Sequence, residues 1–279
     1  MSAALILSSY VVAGRMGGGG QLLALAALGM EPYLAPSVVL GRSPARGGRG
    51  RLVAADHFSD LLADMEDEGL FASCSLVITG HFSDPGQVHA AASALRAIRA
   101  QSPRALLLVD PILGDHPKGL YVKPEVSEAV VKELVPLADW LTPNLWELEH
   151  ITGSSLSTSA QVLSAARRLA PRVLVTSCPA PPGETGLLLS EPERAVRLLH
   201  PKRPAAPNGV GDLVAAVFGA GLAGGQDSLA SAMAAAEAVC AVVDAAAAGG
   251  LVELPIVAAL PRAAASEGLV VAEHVSDHP

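Results

Sequence analysis

"ALLLVDPILGD", residues 105–115, is the stretch on which the fold turns. Five apolar residues run without a break and stop at an acid. A strand that is apolar at every position is buried on both faces, which is the mark of a parallel sheet covered by helices. The pattern recurs in "ALILSS" (4–9), "YLAPSVVL" (33–40), "CSLVITG" (74–80), "DWLTPN" (139–144) and "RVLVTS" (172–177). Helix-like stretches at 17–29, 56–69, 84–101, 124–135 and 157–170 separate these runs. The alternation predicts an α/β fold with a mostly parallel central sheet between two helical layers. "TGLLLS" and "RAVRLLH" (185–200) read as a late hairpin, and residues 41–55 as a small flap at the sheet edge. Two or three helices follow the Pro-rich "HPKRPAAPNG". With no linker, repeat or second core, residues 1–279 are expected to form a single domain.

Composition narrows the function. A net charge of −8 speaks against a nucleic-acid surface. Arg42, Arg46, Arg49 and Arg51 sit among glycines and read as a loop. Cys74, Cys178 and Cys240 are odd in number and lack metal spacing, which fits reduced thiols and a cytoplasmic location. "SAALILSSYVVAG" has no Lys or Arg before it and reads as a buried strand, not a signal peptide. The Ala-rich stretch from residue 228 carries Glu237 and Asp244 and reads as a buried helix, so no membrane partner is expected.

Parallel sheets bind ligands beyond the carboxyl ends of their strands. Here those ends read "SSY", "TGH", "DPILGD", "TPNLWE" and "TSC". In "TPNLWELE" (142–149), Asn144 is a good helix N-cap and Glu147 stands three residues on, a capping-box spacing that accounts for the local geometry. It does not account for acids at neighbouring strand ends in a chain only 16% charged. Asp110, Asp115 and Glu147 together could hold a hydrated Mg²⁺, an ion that takes one or two carboxylates beside substrate phosphates.

"NGVGD" (208–212) closes the set. Glycines at a helix start let successive N–H groups converge on an anion. Asp212 either complements the helix dipole or takes a proton from an attacking hydroxyl. The glycine run "GRMGGGG" (14–20) fails the dinucleotide fingerprint, because Gly17 and Gly19 lack the third glycine at its spacing and no ribose-binding acid follows. Its missing side chains still permit close approach of a ligand. No P-loop, no Ser/His/Asp set and no nucleophile elbow is present. His81 can line a pocket, and Ser9 at the first strand end can contact substrate.

"SSYVVAGRMG", "VDPILGDHPKGLYVKPEV", "PLADWLTPNLWELEHITG", "VLVTSC" and "GVGDLVAAVFGAGL", in this order, resemble the pyridoxal kinases of the ribokinase-like superfamily. The likeness runs from about residue 4 to about 248. The resemblance implies a ribokinase-like three-layer α/β/α sandwich and transfer of the γ-phosphoryl group of ATP to the 5′-hydroxymethyl of pyridoxal, pyridoxine or pyridoxamine. It implies Asp212 as base and Gly209, Val210 and Gly211 as anion hole. Glu147 and Asp115 would serve Mg²⁺–ATP directly or through water, with Asn144 nearby. Asp110, Thr142 and Thr176 would surround a monovalent cation, K⁺, with Thr176 and Ser177 near the phosphates. Ser9 would bond the pyridine ring, and the protein would be a cytoplasmic homodimer.

Two stretches depart from the family pattern. A polar pair that usually touches the pyridine is replaced by Ser43-Pro44-Ala45, and the tyrosine after "TG" is His81. Those residues make the acceptor the open question. A hydroxymethylpyrimidine or a sugar-like alcohol is the alternative substrate, and a vitamer-binding protein without turnover is the alternative from another class. Four retained acids (Asp110, Asp115, Glu147 and Asp212) speak against a pure binder.

Overall fold

A computed structural model describes residues 2–203, 206–261 and 269–275. The strands are β1 (Ala3–Val11), β2 (Glu31–Leu40), β3 (Gly50–Leu52), β4 (Cys74–Thr79), β5 (Leu106–Val109), β6 (Gly114–Asp115), β7 (Gly119–Leu120), β8 (Trp140–Leu141), β9 (Val173–Cys178), β10 (Glu184–Ser190), β11 (Ala195–Pro201) and β12 (Val271–His274). The helices are α1 (Gly17–Ala27), α2 (Ala55–Asp67), α3 (Leu70–Ser73), α4 (Pro85–Gln101), α5 (Pro124–Ala129), α6 (Leu145–Thr152), α7 (Ser159–Leu169), α8 (Val210–Ala223), α9 (Ser228–Ala248) and α10 (Ile256–Ala259). Among the described residues, one sheet runs in the order β12-β11-β10-β9-β8-β5-β4-β1-β2-β3, and β6 and β7 pair separately. From β2 to β9 every neighbouring pair is parallel. Antiparallel strands close both edges: β10, β11 and β12 on one side and β3 on the other.

The unbroken apolar runs are explained by two cores. Leu5 and Leu7 of β1 and Val77 of β4 face the layer of α2, α4 and α7. Ala4 and Ile6 of β1 and Leu76 and Ile78 of β4 face the layer of α1, α8, α9 and α10. Alternate side chains of one strand thus serve opposite cores, and neither face can be polar. On α8, Phe218 is fully buried and meets Trp140 of β8 edge to face, with ring centroids 4.9 Å apart. That contact fixes the rotation of α8, and so the direction of Asp212 in its first turn.

Most predicted elements are present, with two differences. The helix expected over 124–135 is α5 followed by a π-helical segment (Val130–Leu134) and a 3₁₀ turn (Val135–Leu137). Pro136 explains the change, since it has no N–H to donate and crowds the carbonyl four residues back. Strand β12 was not expected; it is four exposed residues, paired with β11 through its backbone. The flap contains a 3₁₀ turn (Pro44–Arg46) and β3, which extends the sheet beyond β2. One helix among the described residues, α9, is long and apolar enough to cross a membrane by length and composition. It packs on α8 and β11, with 56% of its apolar window buried inside the fold.

Candidate active site

Hydrogen bonding continues past the named strands at their carboxyl ends. Gly80 N–H donates to Leu7 O, Asp110 N–H to Thr79 O, Thr142 N–H to Val109 O and Thr176 N–H to Pro143 O. This ladder sets Thr79, Asp110, Thr142 and Thr176 along one edge of the sheet. The hydroxyls of Thr79 and Thr142 are buried there without a partner. Ile112 and Ser177, just beyond two of these ends, hold positive φ of 42° and 58°. A residue with a side chain in that region costs about 1–3 kcal/mol, and such strain gathers at functional sites.

Glycine makes the start of α8. Gly209 has φ +99°, and a Cβ on it would stand 2.8 Å from Arg15 O and 3.0 Å from Met16 Cα. Around Gly211 the space is open, with no heavy atom within 4 Å of the position a Cβ would take. Asp212 follows in the first turn and is buried. Its Oδ2 accepts from Gly17 N at 2.7 Å, and its Oδ1 is buried with no partner. Burial pushes its pKa up to about 6, against the lowering effect of the Gly17 amide. A carboxylate with one oxygen anchored and the other free, beside unpaired helix amides, is arranged to take a proton next to an anion.

Glu147 is almost fully buried, and the capping box is complete. Oε2 accepts from Asn144 N at 2.8 Å, and Oε1 accepts from Leu113 N at 2.7 Å and Gly114 N at 3.4 Å. Asn144 Oδ1 accepts from Glu147 N at 2.9 Å, and Asn144 Nδ2 donates to Gly114 O at 2.8 Å. The pair therefore clips the 110–115 loop onto α6. Burial raises Glu147 to about 7 even so, opposed by these amides. Asp110 is raised well above the usual carboxylate range by burial, then by the charges of Glu147 and Asp212. Asp115 keeps one buried oxygen without a partner. Among the described residues no three His, Cys, Asp or Glu side chains form a group able to hold a metal ion by themselves. Glu147 already accepts three backbone amides, two on Oε1 and one on Oε2. Asp115 has the free oxygen.

Asp115, Asn144, Thr176, Ser177, Val210 and Gly211 line one cavity of about 490 Å³. Its remaining wall includes Leu187, Val214 and Val239. A cavity lined by both polar and apolar side chains suits a ligand that carries both charged and flat apolar parts. The remaining expected residues lie outside the lining of this cavity. Ser9 is buried, with its Oγ 2.3 Å from the point a Cβ on Gly17 would occupy. Ser43 is buried with its hydroxyl unpartnered, whereas Pro44 is exposed. His81 accepts through its carbonyl from Ser37 Oγ, and its Nε2 lies 3.1 Å from Ser83 Oγ. Burial lowers its pKa to about 4, so the ring is neutral at physiological pH.

Sequence reasoning missed three contributors. The Gly17 amide was expected to allow close approach, not to bond a carboxylate. Gln87 is fully buried and joins three segments. It donates to Ser37 O at 2.7 Å and Val53 O at 2.6 Å, and it accepts from Ser83 N at 3.0 Å. Glu253 lies outside every motif. Only the burial of a glutamine at a helical apolar position could have marked Gln87.

The parallel sheet flanked by two helical layers, with a glycine-started helix aimed at its carboxyl edge, defines the class: a ribokinase-like α/β protein. A pyridoxal kinase from Entamoeba histolytica has this fold, with a TM-score of 0.90 over 99% of this chain and 100% of that one at 22% identity. The phosphomethylpyrimidine kinase family model matches residues 72–256. A pyridoxine/pyridoxal/pyridoxamine kinase of Bordetella avium is 34% identical over 227 residues, 78% of this chain and 77% of that protein. A pyridoxal kinase, PdxY, of Granulibacter bethesdensis is 32% identical over 226 residues, 77% of this chain and 79% of that protein. The chain belongs to the pyridoxal kinase family of the ribokinase-like superfamily, whose members are phosphotransferases acting on an alcohol group.

Proposed function

We propose that this protein transfers the γ-phosphoryl group of ATP to the 5′-hydroxymethyl group of pyridoxal, and also of pyridoxine and pyridoxamine, with residues 1–279 acting as one kinase domain. The observation that carries the reading is the state of Asp212: buried, raised to about 6, held at Oδ2 by Gly17 and free at Oδ1. Oδ1 takes the proton of the acceptor hydroxyl as its oxygen attacks the γ-phosphorus in line. A base with a pKa a little below the working pH is ionised and still basic enough to do so. The amides of Gly209, Val210 and Gly211 stabilise the charge that spreads over the transferred group.

The adenine end is assigned to the apolar part of the cavity, between Leu187, Val214 and Val239, and the phosphates to Asn144, Thr176 and Ser177. Asp115 would hold Mg²⁺ directly and Glu147 through water, which fits the free oxygen of the first and the engaged oxygens of the second. Bound there, the ion neutralises charge on the β- and γ-phosphates. Asp110, Thr142 and Thr176 would hold K⁺; the unpartnered Thr142 hydroxyl supports that site. Ser9, Ser43 and His81 are assigned to the acceptor. Pro44 would act there only through its backbone, its ring being exposed.

A cytoplasmic location is inferred from three free, buried cysteines. A homodimer is inferred from the exposed side chains of Val12, Leu251, Val252 and Val257, near Arg15; light scattering tests it. ADP release measured with pyridoxal, pyridoxine, pyridoxamine and hydroxymethylpyrimidine tests the function. The last acceptor is included because the matching family model is that of a phosphomethylpyrimidine kinase and because Ser43 and His81 depart from the pyridoxal pattern. Turnover of hydroxymethylpyrimidine above the three vitamers would transfer the proposal to that substrate.

A further inference from the structure

Glu253 lies between α9 and α10, outside every motif, yet it joins two segments on either side of the acceptor. Its Oε2 accepts from Arg15 N at 2.8 Å. Its Oε1 takes the guanidinium of Arg46, which sits on the flap, and the same Arg46 nitrogen donates to Ala13 O at 3.3 Å. Arg15 belongs to the loop between β1 and α1. That loop ends on Gly17, the residue whose N–H holds Asp212. Its other end is pinned to the root of the flap, with Val12 N–H donating to Leu40 O at 2.8 Å and Ala13 N–H to Gly41 O at 3.0 Å. Arg15 also abuts the start of α8, since a Cβ on Gly209 would come within 2.8 Å of its carbonyl. A continuous path therefore runs from the flap, through one carboxylate and the three residues Arg15–Gly17, to Asp212.

The ion pair contributes little to stability. Its side chains are 41% and 18% exposed, and solvent screens the attraction between them. Its effect lies in geometry instead. The flap carries the buried Ser43, and no residue of its 3₁₀ turn is buried. Arg46 is what ties that turn to the body of the protein.

We propose that Glu253 is a positioning residue: it couples closure of the flap over the acceptor to the alignment of Asp212 through the 13–17 loop. The proposal rests on the reading of Asp212 as catalytic base. Three variants separate the two contacts. R46A loses the flap tie alone. E253Q keeps an acceptor for Arg15 N–H and loses the charge that Arg46 requires. E253A loses both.

In R46A and E253Q, we expect KM for pyridoxal to rise about fivefold with KM for ATP unchanged, and hydrogen exchange to quicken only at 41–52. In E253A, exchange should quicken at 13–17 as well, and kcat should fall about tenfold through misplacement of the base. The pH midpoint of kcat/KM should also move upward, because a loosened Gly17 bond stabilises the carboxylate less. Wild-type exchange at 13–17 together with wild-type kcat in E253A would overturn the coupling. So would equal rises of both KM values in R46A. A wild-type protein that phosphorylates none of the acceptors defeats the functional reading instead; the exchange pattern still decides whether Glu253 joins flap and loop.

Discussion

The two sides of Asp212 are built from different materials. On the side proposed for the nucleotide, backbone does the holding: three amides on Glu147, one on Asp212, and a helix start that glycine alone permits. On the side proposed for the acceptor, side chains do it: Ser37 on the His81 carbonyl, Ser83 on the His81 ring and, behind them, Gln87. The donor substrate always presents the same phosphates, so a fixed backbone cradle serves and tolerates little change. An acceptor recognised by side chains can be exchanged by a few substitutions. The comparison makes a general statement that variants can break: changes on the nucleotide side should cost turnover, and changes on the acceptor side should redistribute KM among acceptors.

The largest effect is expected from Asp212→Asn. Removing a general base typically costs about 10²–10⁴-fold, so kcat should fall by about three orders of magnitude while ATP still binds. The same variant should be more stable. The folded-state pKa lies above the ordinary value, at about 6. The favourable contribution of Asp212 to stability is therefore present at low pH and lost as pH rises through 6. At pH 7.5 the ionised, buried carboxylate costs the fold on the order of 3 kcal/mol. Thermal denaturation at pH 7.5 should show Tm raised by a few degrees in Asp212→Asn, with the gain vanishing near pH 4. Undiminished kcat would make Asp212 a helix cap and nothing more, and a lower Tm at pH 7.5 would show that its ionised form does not burden the fold.

Wild-type pH dependence comes next. Below pH 6, kcat/KM should fall about tenfold per pH unit as Asp212 takes up its proton, and above it the profile should level. A profile flat from pH 5 to 8 would place the titrating base elsewhere. Glu147→Gln follows. An amide in place of the carboxylate turns one N–H toward the amides of Leu113, Gly114 or Asn144, so one bond of the clip becomes a clash of donors. Breaking such a buried hydrogen bond costs about 1–3 kcal/mol. The Mg²⁺ concentration for half-maximal rate should rise roughly tenfold, as is common when a residue behind the metal site is lost. An unchanged Mg²⁺ titration would confine Glu147 to capping α6.

What was legible in the sequence follows the same division. The strands of the parallel region declared themselves because burial on two faces makes most of their positions apolar, with polar residues gathered toward their carboxyl ends. The capping box at Asn144 and the helix start at Gly209 were legible because backbone geometry restricts the residue types allowed there. Capping and function proved compatible at Glu147, since the same hydrogen bonds that start α6 hold the 110–115 loop. The Gly17 amide, Gln87 and Glu253 were not legible. Each makes a bond across a long sequence separation in which one partner is a backbone group that any residue could supply. No periodicity or spacing marks such a partner. Edge strand β12 was hidden for a related reason, as its pairing needs only backbone and its side chains are exposed.

His81→Phe offers the smallest effect and the sharpest test of the acceptor side. Its ring is neutral, with a pKa lowered to about 4, so the change removes no charge above pH 5. Phenylalanine keeps a flat ring and loses the contact to Ser83 Oγ. The backbone bonds of residue 81, to Ser37 and Ser8, do not depend on the side chain. A lost neutral hydrogen bond is worth about 0.5–1.5 kcal/mol, so KM for pyridoxal should shift by about three- to tenfold. KM for ATP and the Mg²⁺ titration should stay as in the wild type. The direction need not be the same for pyridoxal, pyridoxine and hydroxymethylpyrimidine, since the first two differ in the group at C4 and the third in its ring atoms. If all three acceptors and ATP weakened together, the side-chain wall would be part of the common machinery, and the division between the two sides of Asp212 would fail.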